Sequence, residues 1–523
     1  MDTPGRAEQS ISNRQGKDMT KETQQISARQ VLALLPDWLR DALAAVRAEM
    51  GGELYLSGGV MRDLLLNKTP ADIDLTVAAQ ARLWGDRLVA LTGGSLVPLG
   101  REDDTVRVVS RGVTVDIGSF REGARTIGDD LVRRDLTVNA LACRIDPLLA
   151  ASKPDETASL PVLDPTGGHD DLRLGLIRAT GPESFRRDPL RLLRVFRFAA
   201  ILDCAIEAET LALVGKQSHL VSAVAPERIA HELDLIMASD AAAAMVRAMA
   251  ASGLLWAIIP ELAVGIGMVQ PRSHHLDVWE HSLEALLQMG RILAAPAAFF
   301  PGSGEEMAAF PCLPQQRLRL QWAALLHDLG KPATHAVRED KGGRITFYDH
   351  DRIGAEMCAD LALRLRWSNE AREQVARLIE GHMRPFHLAN VARAGNLTLR
   401  AAIRMLRAAG DDLEGLFLLA MADSLAGQGV ERVAGMEEEL AALYRHLARI
   451  RAEHVAPVRA APPLLTGTDL IDALGLPPGP LFKRILAAVE EARMTGEVSD
   501  AAGALQLARI MATQAGDAKT ASR

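Results

Sequence analysis

Aromatic side chains are scarce in this chain, with 11 Phe, 6 Trp and 3 Tyr among 523 residues. With many Ala, Leu and Arg beside them, that scarcity favours a largely helical protein over a β-sandwich. Cysteine is scarce too: Cys143, Cys204, Cys312 and Cys358 lie far apart with no CxxC pair. A zinc ribbon is thereby excluded, and a reducing cytoplasm is the simplest setting. No run of about 18 uncharged apolar residues occurs, so no membrane span is expected. The first 30 residues lack the apolar core of a signal peptide and read as a disordered leader. Positive charge is not in excess either. The net charge of −8 gives no overall attraction to nucleic acid, so any such binding needs a local basic patch.

One such patch is present. The stretch "RRDPLRLLRVFR" carries five arginines between Arg186 and Arg197, although taken alone it reads as a solvated helix face. At this length several domains are expected. The fold class is α+β, with a disordered leader over residues 1–30 and a small mixed α/β head over 31–180. A helical neck over 181–270, a second helical block over 271–455 and a C-terminal helical tail over 456–523 follow. The head is read from short β-like runs, "ELYLS", "DIDLTV", "TVRVVS" and "VTVDIG", between helical patterns. Within the second block "AAPAAFFPGSGEEMAAFPCLP" reads as a loop insertion. "APVRAAPPLLTG" reads as a linker before the tail, and the closing "TQAGDAKTASR" as disordered.

The chemistry begins at residues 54–77, "LYLSGGVMRDLLLNKTPADIDLTV". In an extended segment Asp72 and Asp74 point to one side, while Ile73 and Leu75 face the core. Two carboxylates on one face repel unless a cation lies between them, and a divalent ion is the usual answer. Mg²⁺ prefers oxygen ligands and leaves room for phosphate oxygens, which suits a two-metal nucleotidyl transfer. Gly58 and Gly59 sit where a strand meets a helix, so backbone N–H groups could approach a triphosphate closely. Asp116 in "VTVDIGSF" is a candidate third carboxylate.

In this order the segment resembles the nucleotidyltransferase signature of the bacterial-type (class II) tRNA CCA-adding enzymes and bacterial poly(A) polymerases. The resemblance marks Gly58, Gly59 and Arg62 as nucleotide-binding candidates. "RRDLTVNALA" resembles the family's ribose-reading motif, which would put Arg134, Asp135 and Asn139 near the sugar hydroxyls. "DPTGGHDDL" is similar to its hinge motif, with Asp164, Gly168 and Asp171. "RDPLRLLRVFRFAA" resembles the base-reading helix, which adds Asp188, Arg191, Arg194 and Arg197. "PERIAHEL" resembles the motif that closes the neck, with Arg228 and Glu232.

Asp188 and Arg191, three apart, are expected on one helical face. An acceptor and a guanidinium fork there can contact the Watson–Crick edges of cytosine and adenine. Two departures from the family pattern follow. Arg187 stands where a glutamate usually precedes the aspartate and orients the base-reading arginine. Only "EGARTIGDDLV", 11 residues, joins Arg121 to Arg133, where the family generally carries a longer flexible loop that helps to switch the pocket from cytosine to adenine. The expectation is therefore CC addition, with a separate enzyme adding the final A.

The second helical block holds 10 of the 13 histidines. His281, the adjacent pair His327-Asp328, and Asp423 form an H…HD…D series that resembles the HD metal-dependent phosphohydrolases. Imidazole and carboxylate together suit Mg²⁺, Mn²⁺ or a transition metal. His350 and His382 are candidates for a second ion or a substrate phosphate, and Lys331 for pairing with a phosphate or with Asp328. His274, His275 and His335 are read as structural.

The expected activity is thus template-free extension of a tRNA 3′ end from CTP and perhaps ATP, in the cytoplasm and without a membrane. The HD site would trim damaged RNA ends. A poly(A) polymerase, or a phosphohydrolase that uses the first half only as an RNA-binding platform, are the alternatives.

Overall fold

A computed structural model describes residues 25–99, 104–121, 123–150 and 155–521. The chain divides into two compact units. One comprises residues 1–191 and 204–210, the other 192–203 and 211–523.

The first unit is built on a mixed sheet of eight strands: β1 (Gln25–Ser27), β2 (Tyr55–Ser57), β3 (Ile73–Val77), β4 (Ser95–Pro98), β5 (Thr105–Ser110), β6 (Val113–Ser119), β7 (Ala142–Arg144) and β8 (Ser159–Leu163). Their order is β1-β8-β7-β2-β3-β6-β5-β4. Only β3 and β6 pair in parallel, and every other neighbour is antiparallel. In β3 the apolar Ile73, Leu75 and Val77 are buried while Asp74 is partly exposed, which is the alternation a half-buried strand requires. The helices of this unit are α1 (Ala28–Leu34), α2 (Asp37–Met50), α3 (Gly59–Leu65), α4 (Ala81–Thr92), α5 (Ile127–Leu131), α6 (Asp146–Ala150), α7 (Gly168–Leu174) and α8 (Glu183–Arg187). In α2 the buried Leu39, Ala42, Leu43 and Val46 recur at the three- and four-residue spacing of one helical face.

The second unit is helical, with one short hairpin, Ala336–Arg338 with Arg344–Thr346. Helix α9 (Arg191–Leu202) opens it. The helix Leu413–Ala426 is buried on all sides except near its end and forms the axis around which its neighbours pack. The C-terminal helices enclose a small core of their own, formed by Leu465, Leu470, Ile485, Val489, Ala504 and Ala508.

Several expectations are corrected. Residues 25–30, assigned to a disordered leader, form β1 and the start of α1; the rest of that stretch lies outside the described residues. The neck does not begin at residue 181: α8 and residues 204–210 group with the head. The cause is pairing, since the two-residue strands Leu176–Ile177 and Ala205–Ile206 run in parallel, and Ser184 donates from Oγ to the carbonyl of Arg134 at 3.3 Å. The presumed insertion at 294–314 contains the helices Pro296–Phe299 and Gly304–Ala309. Phe300 and Met307 anchor it as fully buried side chains, and the Phe300 ring meets Tyr444 edge-on. Residues 456–460 of the presumed linker are helical. Residues 513–521 of the closing stretch belong to the helix Ala501–Ala521, and the last two residues lie outside the described ones.

Candidate active sites

The turn from β2 into α3 places Gly58 at φ +75°, a conformation that disfavours any side chain. Space forbids one as well. A Cβ at Gly58 would lie 2.7 Å from Nη1 of Arg134 and 3.5 Å from Oδ2 of Asp74. Arg134 is buried beneath this turn. Its Nη2 donates to Ser57 Oγ (2.8 Å) and Thr76 Oγ1 (3.1 Å), and its Nε to Asp130 (3.2 Å). It therefore ties β2 to β3 below the glycines.

Asp72 stands one residue before β3 and Asp74 within it. Burial, followed by the neighbouring negative charge of Asp116, pushes the pKa of Asp74 up to about 6. That electrostatic stress is what a divalent cation relieves, and two carboxylates are suitable hard ligands for Mg²⁺. Asp116 lies directly across from Asp74 in the β3–β6 register, yet both of its oxygens are occupied by Arg107. Nε reaches Oδ1 and Nη2 reaches Oδ2, each at 2.8 Å. The structure thus brings the third candidate carboxylate to the site but engages it with an arginine that sequence reasoning passed over. The signal was available: Arg107 interrupts the apolar strand "TVRVVS".

The ribose-motif residues form a chain behind α3. Arg62 donates from Nη1 to Asn139 (2.7 Å), and Asn139 donates to Asp135 (3.3 Å). The hinge motif braces this turn from below. Asp164 accepts from the backbone N–H groups of Gly168 (2.9 Å) and His169 (3.0 Å). A Cβ on Gly168 would sit 2.0 Å from the carbonyl of Thr137, so only glycine allows the approach. Asp171 accepts from Thr137 at 2.7 Å.

One local expectation fails here. Asp188 and Arg191 do not share a helix: α8 ends at Arg187, Asp188 is extended (φ −145°, ψ 101°), and α9 starts at Arg191. Pro189 is the reason, because it disfavours helical conformation in the preceding residue. Arg191 donates from Nη1 to the carbonyl of Arg133 (2.9 Å) and to Ser184 Oγ (3.2 Å). Arg187 is exposed. In the second unit Arg194 and Arg197 both approach the buried Glu232, at 3.9 and 3.2 Å, and lie over the ring of Phe198. Glu232 of the neck-closing motif therefore anchors the arginines of α9.

The 11-residue connector is short and tied down. Thr126 and Asp129 form a capping box that opens α5. Arg121 pairs with the fully buried Asp130 at 2.9 Å, and Arg133 donates to the carbonyls of Asp129 (2.7 Å) and Gly123 (3.1 Å).

The helices of the second unit bring His281, His327, Asp328 and Asp423 together. Nε2 of His281 lies 3.0 Å from Asp423 and 3.5 Å from Asp328, and Nε2 of His327 lies 3.2 Å from Asp328. His350 and His382 adjoin them, with their Nε2 atoms 3.2 Å apart. The Nδ1 atoms of His327, His350 and His382 contact the carbonyls of Ala324 (2.9 Å), Phe347 (2.8 Å) and Ile379 (2.6 Å). A ring whose Nδ1–H is so bound turns a lone pair on Nε2 inward, which is the arrangement that prepares histidine for a metal. Two such lone pairs facing each other between His350 and His382 call for a cation between them. Burial keeps His382 neutral, with its pKa lowered to about 4. On His327 burial also opposes charge, but Asp328 and Asp423 overcome it and push the pKa up to about 10, so without a metal its Nε2 carries a proton that a bound cation would replace. Lys331 pairs with Asp328 and donates to Gln270, both at 2.6 Å.

His275 and His335 are exposed. His274 is not peripheral. Its ring packs edge-on to His281 at 4.8 Å, and it groups within ligand distance of His281 and Asp423. Sequence reasoning missed it because it precedes the helix Val278–Ala294, so its approach to His281 comes from the fold and not from a shared helical face.

Comparison with known proteins assigns a domain family to the segment around each cluster. Residues 54–178 match the poly A polymerase head domain, 203–266 the probable RNA and SrmB-binding site of polymerase A, and 278–427 the HD domain. The chain is 34% identical over 452 residues to the A-adding tRNA nucleotidyltransferase of Deinococcus radiodurans, covering 85% of this chain and 92% of that one. It is 31% identical over 446 residues to the CC-adding tRNA nucleotidyltransferase of Thermus thermophilus, covering 84% and 89%. Among solved structures, a CCA-adding enzyme with CTP matches at a TM-score of 0.59 and 19% identity, covering 92% of this chain and 97% of that one. The CCA-adding enzyme of Thermotoga maritima with tRNA matches at 0.57 and 19%, covering 93% and 98%, which extends the likeness of fold to nearly the whole chain. With the glycine turn, the paired aspartates and the ordered motifs between them, these matches make the chain a member of the tRNA nucleotidyltransferase family that carries a poly(A) polymerase-type head and an HD domain.

Proposed function

We propose that the chain adds CC to the 3′ end of tRNA without a nucleic-acid template, and that a separate enzyme adds the final A. The observation that carries the choice of CC is the connector after β6, which is short and held by Arg121–Asp130 and by Arg133. A segment so held lacks the freedom to remodel the pocket between two bases.

In this reading Asp72 and Asp74 hold Mg²⁺, which supplies activation of the RNA 3′-hydroxyl and neutralises the departing pyrophosphate when bound. The chain's own residues position the reactants. The glycine turn lets backbone N–H groups of α3 approach the triphosphate. Arg62, Asn139 and Asp135 hold the sugar by their linked hydrogen bonds. Asp188 and Arg191 present acceptor and donor groups to the base edge, and Arg194 and Arg197 grip RNA phosphates. The hydroxyl oxygen forms a bond to the α-phosphorus and the bond to pyrophosphate breaks, so positioning and charge neutralisation carry the reaction. At the HD centre His281, His327, Asp328 and Asp423 hold a divalent ion, with His350 and His382 for a second, and a phosphate ester at a damaged RNA end is the substrate. The cytoplasm is the setting.

A second reading, addition of A alone, is favoured by one observation: the relative at 34% identity is an A-adding enzyme. Purified protein with Mg²⁺ and tRNA ending before CCA, after C and after CC, given CTP, ATP or both, separates the readings at single-nucleotide resolution. Growth by two cytosines and no further supports the proposal. Incorporation of A only onto CC ends selects the second reading, and completion to CCA shows that the short connector suffices for switching. Long A tracts would make it a poly(A) polymerase, and dephosphorylation alone would leave the head as an RNA platform.

A further inference from the structure

Arg107 has no place in the reaction as described, yet it occupies the centre of the carboxylate cluster. Its position follows from register. Arg107 is paired with Asp116 across β5 and β6, and Asp116 with Asp74 across β6 and β3. Residues opposite one another in neighbouring strands project from the same face, so Asp74, Asp116 and Arg107 form one row across three strands. The guanidinium fork closes on both oxygens of Asp116 at 2.8 Å, and its Nη2 also lies 3.3 Å from Oδ2 of Asp72. One cation thus spans the third carboxylate and a member of the pair read as holding metal.

An ordinary cross-strand ion pair would engage one partner and contribute little. This one bridges two carboxylates on separate segments, and the second belongs to the reactive pair. A fixed positive charge in contact with a carboxylate lowers the attraction of that carboxylate for any other cation. Each oxygen of Asp116 accepts one bond of a bidentate pair, the strongest geometry open to arginine and carboxylate.

We propose that Arg107 is an internal counter-ion of the transfer site, one that competes with divalent cations for Asp72 and Asp116 and so weakens metal binding until a nucleotide arrives. The negative charge of the triphosphate then tips the balance, because its oxygens supply further ligands for the metal and a partner for Arg107 other than Asp72. Arg107 is a positioning residue: it acts on the reaction through the carboxylates. The proposal rests on the reading of Asp72 and Asp74 as metal holders, and the test separates the two.

The test is titration of the full-length, nucleotide-free protein with Mn²⁺, followed by electron paramagnetic resonance of the free ion. The transfer-site component is the one lost in Asp74→Asn. Arg107→Gln should tighten that component about tenfold, about 1.4 kcal/mol, whereas a merely structural role would leave it unchanged or loosen it. Arg107→Lys retains the charge and should stay within about threefold of the parent. With CTP present the difference between parent and Arg107→Gln should shrink. Affinity that is unchanged or weaker in Arg107→Gln overturns the proposal, as does equal tightening in Arg107→Lys. If Asp74→Asn removes no component, the metal reading itself fails and the proposal with it. Circular dichroism establishes that each variant is folded, and Arg107→Met replaces the glutamine variant if that one is not.

Discussion

Replacing Gly58 by alanine tests the glycine turn in two ways at once. The backbone at φ +75° costs a non-glycine residue about 1–3 kcal/mol. The new Cβ would lie 2.7 Å from Arg134 Nη1, so the guanidinium has to move. Its hydrogen bonds to Ser57 at 2.8 Å and to Thr76 at 3.1 Å are charged and buried, each worth about 1.5–3 kcal/mol. Relaxation will preserve some of this, and a net loss of about 3–5 kcal/mol is expected. For a unit of this size that corresponds to a fall of roughly 6–20 °C in its unfolding transition. Gly59 is the matched control. Its φ is not positive, and a Cβ there meets Arg62 and Asp74 only at 3.5 Å, which is ordinary contact. Gly59→Ala should therefore unfold within about 1 kcal/mol of the parent. Calorimetry of the full chain with each substitution, together with CTP incorporation, reads both effects. Gly58→Ala should lose stability and transfer together, whereas Gly59→Ala should keep stability and lose transfer, because the methyl lies where the triphosphate is proposed to approach. Parent-like stability in Gly58→Ala would refute the account of the turn.

Other perturbations bear on separate parts of the molecule. Asp130→Asn leaves Arg134 and Arg121 without the carboxylate they share, and removal of one partner from a buried charged cluster should cost about 3–5 kcal/mol by urea unfolding. Because Asp74 has its pKa pushed up to about 6 in the fold, the native state holds a proton there more tightly than the unfolded chain does. Stability without metal should therefore fall as pH rises from about 4 to 6, by up to about 3 kcal/mol. Mg²⁺ should restore more of it at pH 7.5 than at pH 5, as thermal scans at the two values will show. Asp74→Asn should lower C incorporation by at least about 10³-fold, about 4 kcal/mol in barrier, while HD-site metal content measured by mass spectrometry stays unchanged. His327→Ala should reverse that pattern, emptying the HD centre with transfer retained. Phe300→Ala should cost about 3–5 kcal/mol, since the ring is fully buried; a neutral result would return the 294–314 stretch to a loosely attached loop.

Much of the chemistry was legible in the order of residues. The alternation in "DIDLTV" and the Gly-Gly pair before it place two carboxylates beside a glycine turn through local geometry alone, and Asp74 indeed lies in β3 facing that turn. The HD series was readable because histidine and aspartate have few reasons to recur on apolar helices. The four head strands named from sequence are present, but β1, β4, β7 and β8 were not identified. They are three to five residues long, which leaves little periodicity to read, and the pairings of β1 with β8 and of β7 with β2 join segments distant in sequence.

What the sequence by itself determined is therefore the set of reactive groups and the local turns that carry them, because alternation, glycine and proline act over a few residues. Even the break at Asp188 was encoded there, in Pro189. Tertiary structure alone decided which groups meet. The β5–β6 register delivered Arg107 to Asp116, packing set Arg134 beneath the glycines against Ser57 and Thr76, and the fold drew His274 to the HD centre. In each case the partners lie on different elements, and their meeting depends on strand register and helix packing, which no short stretch of sequence contains.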